Sequence, residues 1–163
     1  MGVIRFAGRV EVVARRTLAA AAETGLRIEP AVLPADAAAL QRVAEAAADE
    51  HVRVSGAGLA AELRGRPGRV VEGWLAWMSS VAGEPAAVGL ALMVVGGNEP
   101  SIAWLLVDRA MRRRGVASAL VATAVARAAA LGAARVTAES LESWPAAEFW
   151  LQAGFEPVAR PRG

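Results

Sequence analysis

The chain has 163 residues, enough for one domain that buries about two-thirds of its unfolded surface. It has no cysteine, lysine or tyrosine and one histidine, His51, which excludes a disulfide framework, a lysine-dependent phosphate loop and a multi-histidine metal site. A formal net charge of +2 argues against a general nucleic-acid surface, so any anion site must come from local clustering of arginines.

Residues 1–24 stand apart as an N-terminal accessory segment, with the main domain expected over 25–163. Val3–Ala14 reads as a strand or hairpin and Thr17–Glu23 as a short helix. The segment fits an accessory strand, an oligomer contact or a mobile arm. Arg5, Arg9 and Glu11 interrupt any secretory apolar stretch. No later run approaches the roughly 20 apolar residues of a membrane span. The cytoplasm is the expected compartment, with no membrane partner.

Residues 26–31 read as a short strand closed by Pro30. Asp36 is placed to cap a helix running to about Glu50, with Leu40, Val43 and Ala47 on one face. A weaker helical stretch over Gly58–Leu63 stops at the breaker Arg64-Gly65-Arg66-Pro67-Gly68. Three strands follow, over about Arg69–Met78, Ala87–Val95 and Ser101–Val107. The turn segments Gly83–Pro85 and Gly96–Pro100 between them predict an antiparallel meander. In the third strand, alternation puts Ile102, Trp104 and Leu106 on one face and Ala103, Leu105 and Val107 on the other. Apolar residues on both faces predict a central strand covered by helices on both sides.

A helix is expected over Ala117–Leu131, with Leu120, Ala124, Ala128 and Leu131 on one face and Gly132 ending it. Arg135–Glu139 reads as a strand, parallel to Ser101–Val107 by the right-handed crossover rule. A last helix over Pro145–Ala153 is followed by a strand starting at Phe155.

The segment between Val107 and Ser118 carries the chemistry. A helix starting near Gly115 leaves its first N–H groups without partners, and no Ser, Thr, Asp or Asn precedes it as a cap. Arg112, Arg113 and Arg114 stand there instead, opposing the helix dipole by a few tenths to about 1 kcal/mol each. A phosphate or diphosphate would accept the orphan N–H groups and pair with arginine. Gly115 and Ala117 are small enough to let the backbone approach it. A solvated arginine-rich turn is the plainer alternative.

These residues resemble the signature of the GNAT N-acetyltransferase superfamily, Gln/Arg-x-x-Gly-x-Gly/Ala, at Arg112, Gly115 and Ala117. Leu105 and Val107 fit the family's preceding strand end. Ser143, Ala146, Phe149, Trp150, Gly154 and Phe155 fall on its later stretch, Asn-x-x-Ala-x-x-Phe/Leu-Tyr-x-x-x-Gly-Phe. Leu26–Leu40 also looks like the family's first strand and helix, so the resemblance covers about residues 26–159. It implies an α/β (α+β) fold, with a mixed, mostly antiparallel central sheet and helices on both faces. It further implies that Ser101–Val107 and Arg135–Glu139 splay apart to admit the pantetheine arm of acetyl-coenzyme A along Leu105, Leu106 and Val107. The diphosphate would rest on N–H groups of Arg113, Arg114, Gly115, Val116, Ala117 and Ser118, with Ala146, Phe149 and Trp150 beside the cofactor. The implied activity is acetyl transfer to a primary amine of a small molecule or peptide, without metal or nucleic acid. A non-catalytic CoA-binding module is the alternative.

The chain departs from the family pattern in three ways. Trp150 replaces the tyrosine that commonly protonates the departing thiolate, so Ser143, Ser140 or water must substitute, or the thiolate leaves unaided. Ser143 replaces the usual asparagine. The family's final strand is absent, and Val3–Ala14 is expected to fill its place from the same chain or from a second copy in a homodimer. Glu139, at the open end of its strand, is the first choice of general base, with Glu72, Glu99 and Glu50 as rivals. Trp74, Trp77 and Trp104 read as acceptor-pocket lining or, for at least two of them, core. His51 reads as a partner of a helix C-terminus.

Overall fold

A computed structural model describes residues 3–21, 25–49, 52–79, 83–141 and 146–158. Glu50, His51, Ser143 and Pro145 lie outside the described residues, as do the side chains of Ser140 and Ala146. In chain order the elements are β1 (Val3–Arg9), α1 (Val10–Ala20), β2 (Leu26–Pro30), α2 (Ala37–Ala47) and α3 (Gly56–Arg64). Then come β3 (Val71–Ser79), β4 (Pro85–Val94), β5 (Ser101–Val107), a 3-10 turn (Arg109–Met111), α4 (Val116–Ala130), β6 (Arg135–Leu141), α5 (Ala146–Gln152) and β7 (Glu156–Pro157). The sheet order is β2-β3-β4-β5-β6-β1-β7. Among the described strands only the β5–β6 pair is parallel; the others are antiparallel, including the predicted β3-β4-β5 meander.

Each face of the sheet carries a core. One contains Trp74, Ala76, Met93 and Val136 beneath Val10 and Val13 of α1, Leu120 and Ala124 of α4 and Trp150 of α5. The other gathers Leu75, Leu90, Leu92 and Leu106 under Leu40, Val43 and Ala47 of α2 and Leu59 of α3. Asp36 precedes α2 as predicted, but its carboxylate accepts the Val32 N–H at 2.8 Å instead of an N–H of the helix. Ser55 caps α3, accepting the Gly58 N–H at 2.9 Å, so that helix begins before Gly58.

The N-terminal segment differs from its expected layout. The strand stops at Arg9 and the helix begins at Val10, because Val10, Val13 and Thr17 make a helical stripe buried in the core. The Thr17 hydroxyl is satisfied inside the helix, donating to the Val13 carbonyl at 2.7 Å. β1 enters the sheet from the same chain, antiparallel to both β6 and β7 and between them. Its close fit is visible at Gly8, where a Cβ would stand 2.7 Å from Val13 Cγ2 and 3.3 Å from the Gly154 carbonyl oxygen. Gly8→Val is expected to destabilise the fold by about 1–3 kcal/mol, read as a lowered urea midpoint. An unchanged midpoint would mean that β1 and α1 are less tightly locked than this contact implies.

Two face assignments also change. The β4–β5 register passes from Leu92↔Trp104 to Met93↔Ile102, leaving Ala103 as an extra residue in a bulge. The bulge reverses the alternation, so Ile102 shares the α1/α4/α5 face with Leu105 and Val107, while Trp104 and Leu106 face α2 and α3. On α4, Leu120, Ala124 and Ala128 are buried but Leu131 is 46% exposed. Val121, Ala122 and Val125 are buried too, because α1 lies along α4 and covers a second stripe.

Candidate functional site

The parallel pairing of β5 with β6 is confined to Ser101↔Thr137 and Ile102↔Ala138, where the Thr137 N–H also donates to the Pro100 carbonyl at 3.0 Å. From the Ala103 bulge onward β5 follows β4 as far as Val107, while β6 follows β1 as far as Leu141. The strand edges of 103–107 and 139–141 therefore do not pair with each other. A wedge results, walled by backbone polar groups that need partners. Leu105 and Val107 pack partly against the core on the α4 side of this wedge, and Leu106 is buried on the other.

The chain leaves β5 through a turn that orients α4. Asp108 accepts the Ala110 N–H at 2.9 Å and starts the 3-10 turn. Arg112 is tied down: its guanidinium donates to Asp49 at 3.2 Å and to the Ala47 carbonyl at 3.5 Å, joining the turn to the end of α2. Arg113 has φ of +65°, a left-handed conformation costing a residue with a side chain on the order of 1 kcal/mol. Gly115, also left-handed at φ +80°, is the N-cap of α4, and no side chain caps the helix. Arg113 and Arg114 are exposed and form no ion pair among the described residues. Val116 is buried in the core, so its backbone alone is available to a ligand.

Ser118, in the first turn of α4, is only 8% exposed, and its hydroxyl has no hydrogen-bond partner among the described residues. It faces a cavity of about 50 Å³ whose other walls are Arg16, Thr17 and Ala20 of α1 and Phe149, Gln152 and Ala153 of α5. Beside Phe149, Trp150 is 3% exposed and its indole N–H finds no acceptor among the described residues. Its ring packs edge-on against Phe149 at 5.2 Å and Phe155 at 5.0 Å between centroids. An unpaired buried donor costs about 1–3 kcal/mol. The Trp150 indole carries that cost, whereas the Ser118 hydroxyl opens onto the cavity.

Glu139 lies on the stretch of β6 that no longer pairs with β5, exposed and without an ion pair among the described residues. Alternation from the buried Ala138 turns it to the α2/α3 side, with Arg5 of β1 directly across. Its rivals are engaged elsewhere: Glu72 receives two bonds from Arg127, at 2.9 and 3.2 Å, and Glu99 is 3.8 Å from Arg135. Trp74 is core, whereas Trp77 and Trp104 are half-buried toward α2 and α3.

The structure thus brings Ser118, in the first turn of α4, together with Phe149, and the chain reaches that turn directly from the open edge of β5. Arg16, Thr17 and Ala20, and the Asp49 clamp on Arg112, were not legible as site residues, because only packing between distant segments places them there. A larger cavity of about 680 Å³ lies along Arg9, Val12, Arg16, Arg135, Leu151 and Glu156. It shares only Arg16 with the smaller one and holds none of the predicted site residues. No described helix is long and apolar enough to cross a membrane. No described group of histidine, aspartate or glutamate residues could hold a metal ion.

The model of the acetyltransferase (GNAT) family matches residues 41–155. No curated protein matches the chain. Among solved structures, a conserved protein of unknown function from Staphylococcus epidermidis superposes with a TM-score of 0.73 at 12% identity, over 96% of this chain and 57% of that one. A GCN5-related N-acetyltransferase from Sphaerobacter thermophilus gives 0.67 at 16% identity, over 96% and 48%. A GNAT-family protein from Desulfovibrio desulfuricans gives 0.65 at 22% identity, over 82% and 87%. The chain thus spans about half the length of the first two, and at these identities the likeness speaks to fold alone. With the family model matched over most of its length and the fold in agreement, the chain belongs to the GNAT acetyltransferase family.

Proposed function

We propose that the chain is a cytoplasmic N-acetyltransferase that uses acetyl-CoA to acetylate a primary amine of a small molecule or peptide. The uncapped N-terminus of α4 carries this reading, because its free amides adjoin the Ser118 hydroxyl, which opens onto the cavity beside α1, and two guanidinium groups without an ion pair among the described residues. A diphosphate is the ligand that would satisfy all three. The N–H groups of Arg113, Arg114, Gly115, Val116, Ala117 and Ser118 hold it. Arg112 acts indirectly, fixing the turn through Asp49.

Bound acetyl-CoA supplies a thioester carbonyl open to direct attack by the amine. The free edge of Leu105, Leu106 and Val107 pairs with the cofactor's amide-bearing arm. A backbone N–H near Val107 stabilises the developing oxyanion. Ala146, Phe149 and Trp150 would wall the groove, and the indole N–H of Trp150, unpaired among the described residues, would donate to a cofactor oxygen. Glu139 accepts the amine proton, directly or through water, and Ser143 donates to the leaving thiolate.

The chain has no tyrosine to act as the acid, and that favours the second reading, a CoA-binding module without catalysis. Free-thiol release from acetyl-CoA with a panel of amines separates the two: turnover supports the enzyme, whereas tight CoA binding without turnover supports the module. Glu139→Gln is expected to lower kcat about 10²–10⁴-fold with CoA affinity retained. An unchanged kcat would remove Glu139 from the mechanism.

A further inference from the structure

α1 lies outside the stretch matched by the family model, yet it forms one wall of the cavity at Ser118. Its first residue, Val10, bonds through N–H to the Ala134 carbonyl just beyond α4, and its last turn flanks the start of α4. The two helices therefore run antiparallel, which delivers the C-terminal half of α1 to the uncapped end of α4. Of the polar groups that α1 and α5 present there, the Thr17 hydroxyl donates to the Val13 carbonyl and the Gln152 amide donates to Glu148, and neither carries a charge. Arg16 is left. It is exposed, forms no ion pair among the described residues, and lines both cavities.

We infer that Arg16 is a phosphate-pairing residue of the coenzyme A site, contributed by the N-terminal helix; this rests on the function proposed above. The cavity of about 50 Å³ has room for little more than one or two waters. The body of a bound phosphate therefore lies outside it, over the α4 amides, with the Ser118 hydroxyl beneath and Arg16 at the rim. A guanidinium presents a planar fork of donors that matches two phosphate oxygens at once. Coenzyme A offers two such groups, its diphosphate and its 3′-phosphate. The shared chemistry is a phosphate monoanion or dianion held between Arg16 and the first turn of α4.

The test is isothermal titration of the full chain with CoA and with dephospho-CoA, using Arg16→Ala, Arg16→Lys and, as a control in the larger cavity, Arg9→Ala. Arg16→Ala is expected to weaken CoA binding about tenfold or more, with Arg16→Lys in between and Arg9→Ala unchanged. A loss seen with CoA but not with dephospho-CoA assigns Arg16 to the 3′-phosphate; an equal loss with both assigns it to the diphosphate. Arg16→Ala binding CoA like the unmodified chain overturns the inference and leaves the proposed function standing. An equal loss in Arg9→Ala also overturns it, since the effect would then be one of general charge. No heat from the unmodified chain overturns both.

Discussion

Removal of residues 1–24 is expected to leave a chain that no longer unfolds cooperatively. β1 is an interior strand, and among the described residues it is the only partner of β7. Its loss exposes the edge of β6 along its full length, from Arg135 to Leu141. Phe6, Val10 and Val13 are between 0% and 7% exposed, and burying each such side chain contributes about 1.5–3 kcal/mol. Their sum approaches the roughly 5–15 kcal/mol that holds a whole domain together. The departure of α1 also uncovers the apolar stripe of α4 around Val121 and Val125. Circular dichroism melting of the truncated chain checks this; a sharp transition at the original temperature would show that the segment is an appendage.

The second large effect concerns Ser118. Ser118→Asp puts a carboxylate in the first turn of α4, where it can accept the free amides and favour the helix dipole. The melting temperature should therefore hold. CoA binding should not. A fixed negative charge about 4 Å from a phosphate costs ~4 kcal/mol at an effective dielectric of 20, or about a thousandfold in affinity. Titration calorimetry paired with a melt reads both halves. A variant that keeps its fold and still binds CoA normally would move the anion away from α4 altogether.

Much of this architecture is legible along the chain. Glycine–proline turn segments and β-rich runs mark the β3-β4-β5 meander, and the spacing of Leu40, Val43 and Ala47 marks the buried face of α2. The arginine run before Gly115, with no capping side chain, marks an anion-seeking helix start. These are local signals, set by turn chemistry, periodicity and capping, which need only a few neighbouring residues to be read. Where a local signal failed, a nonlocal force had prevailed. The alternation of β5 breaks at Ala103 because one residue is excluded from the ladder with β4. The strand reading of Val10–Ala14 yields because those valines find a helical partner in α4. Glu72 drops out as a base because Arg127, far along the chain, captures it.

From residue 26 onward the element types and the place of the uncapped turn were readable along the chain, since capping, periodicity and turn chemistry act between near neighbours. It took the packed fold to show that Val10–Ala20 is a helix, that the N-terminal strand enters the sheet between β6 and β7, that Arg112 is held by Asp49, and that α1 brings Arg16 to the first turn of α4. Those facts depend on burial of apolar surface between segments distant along the chain, and no local pattern encodes which surfaces will meet.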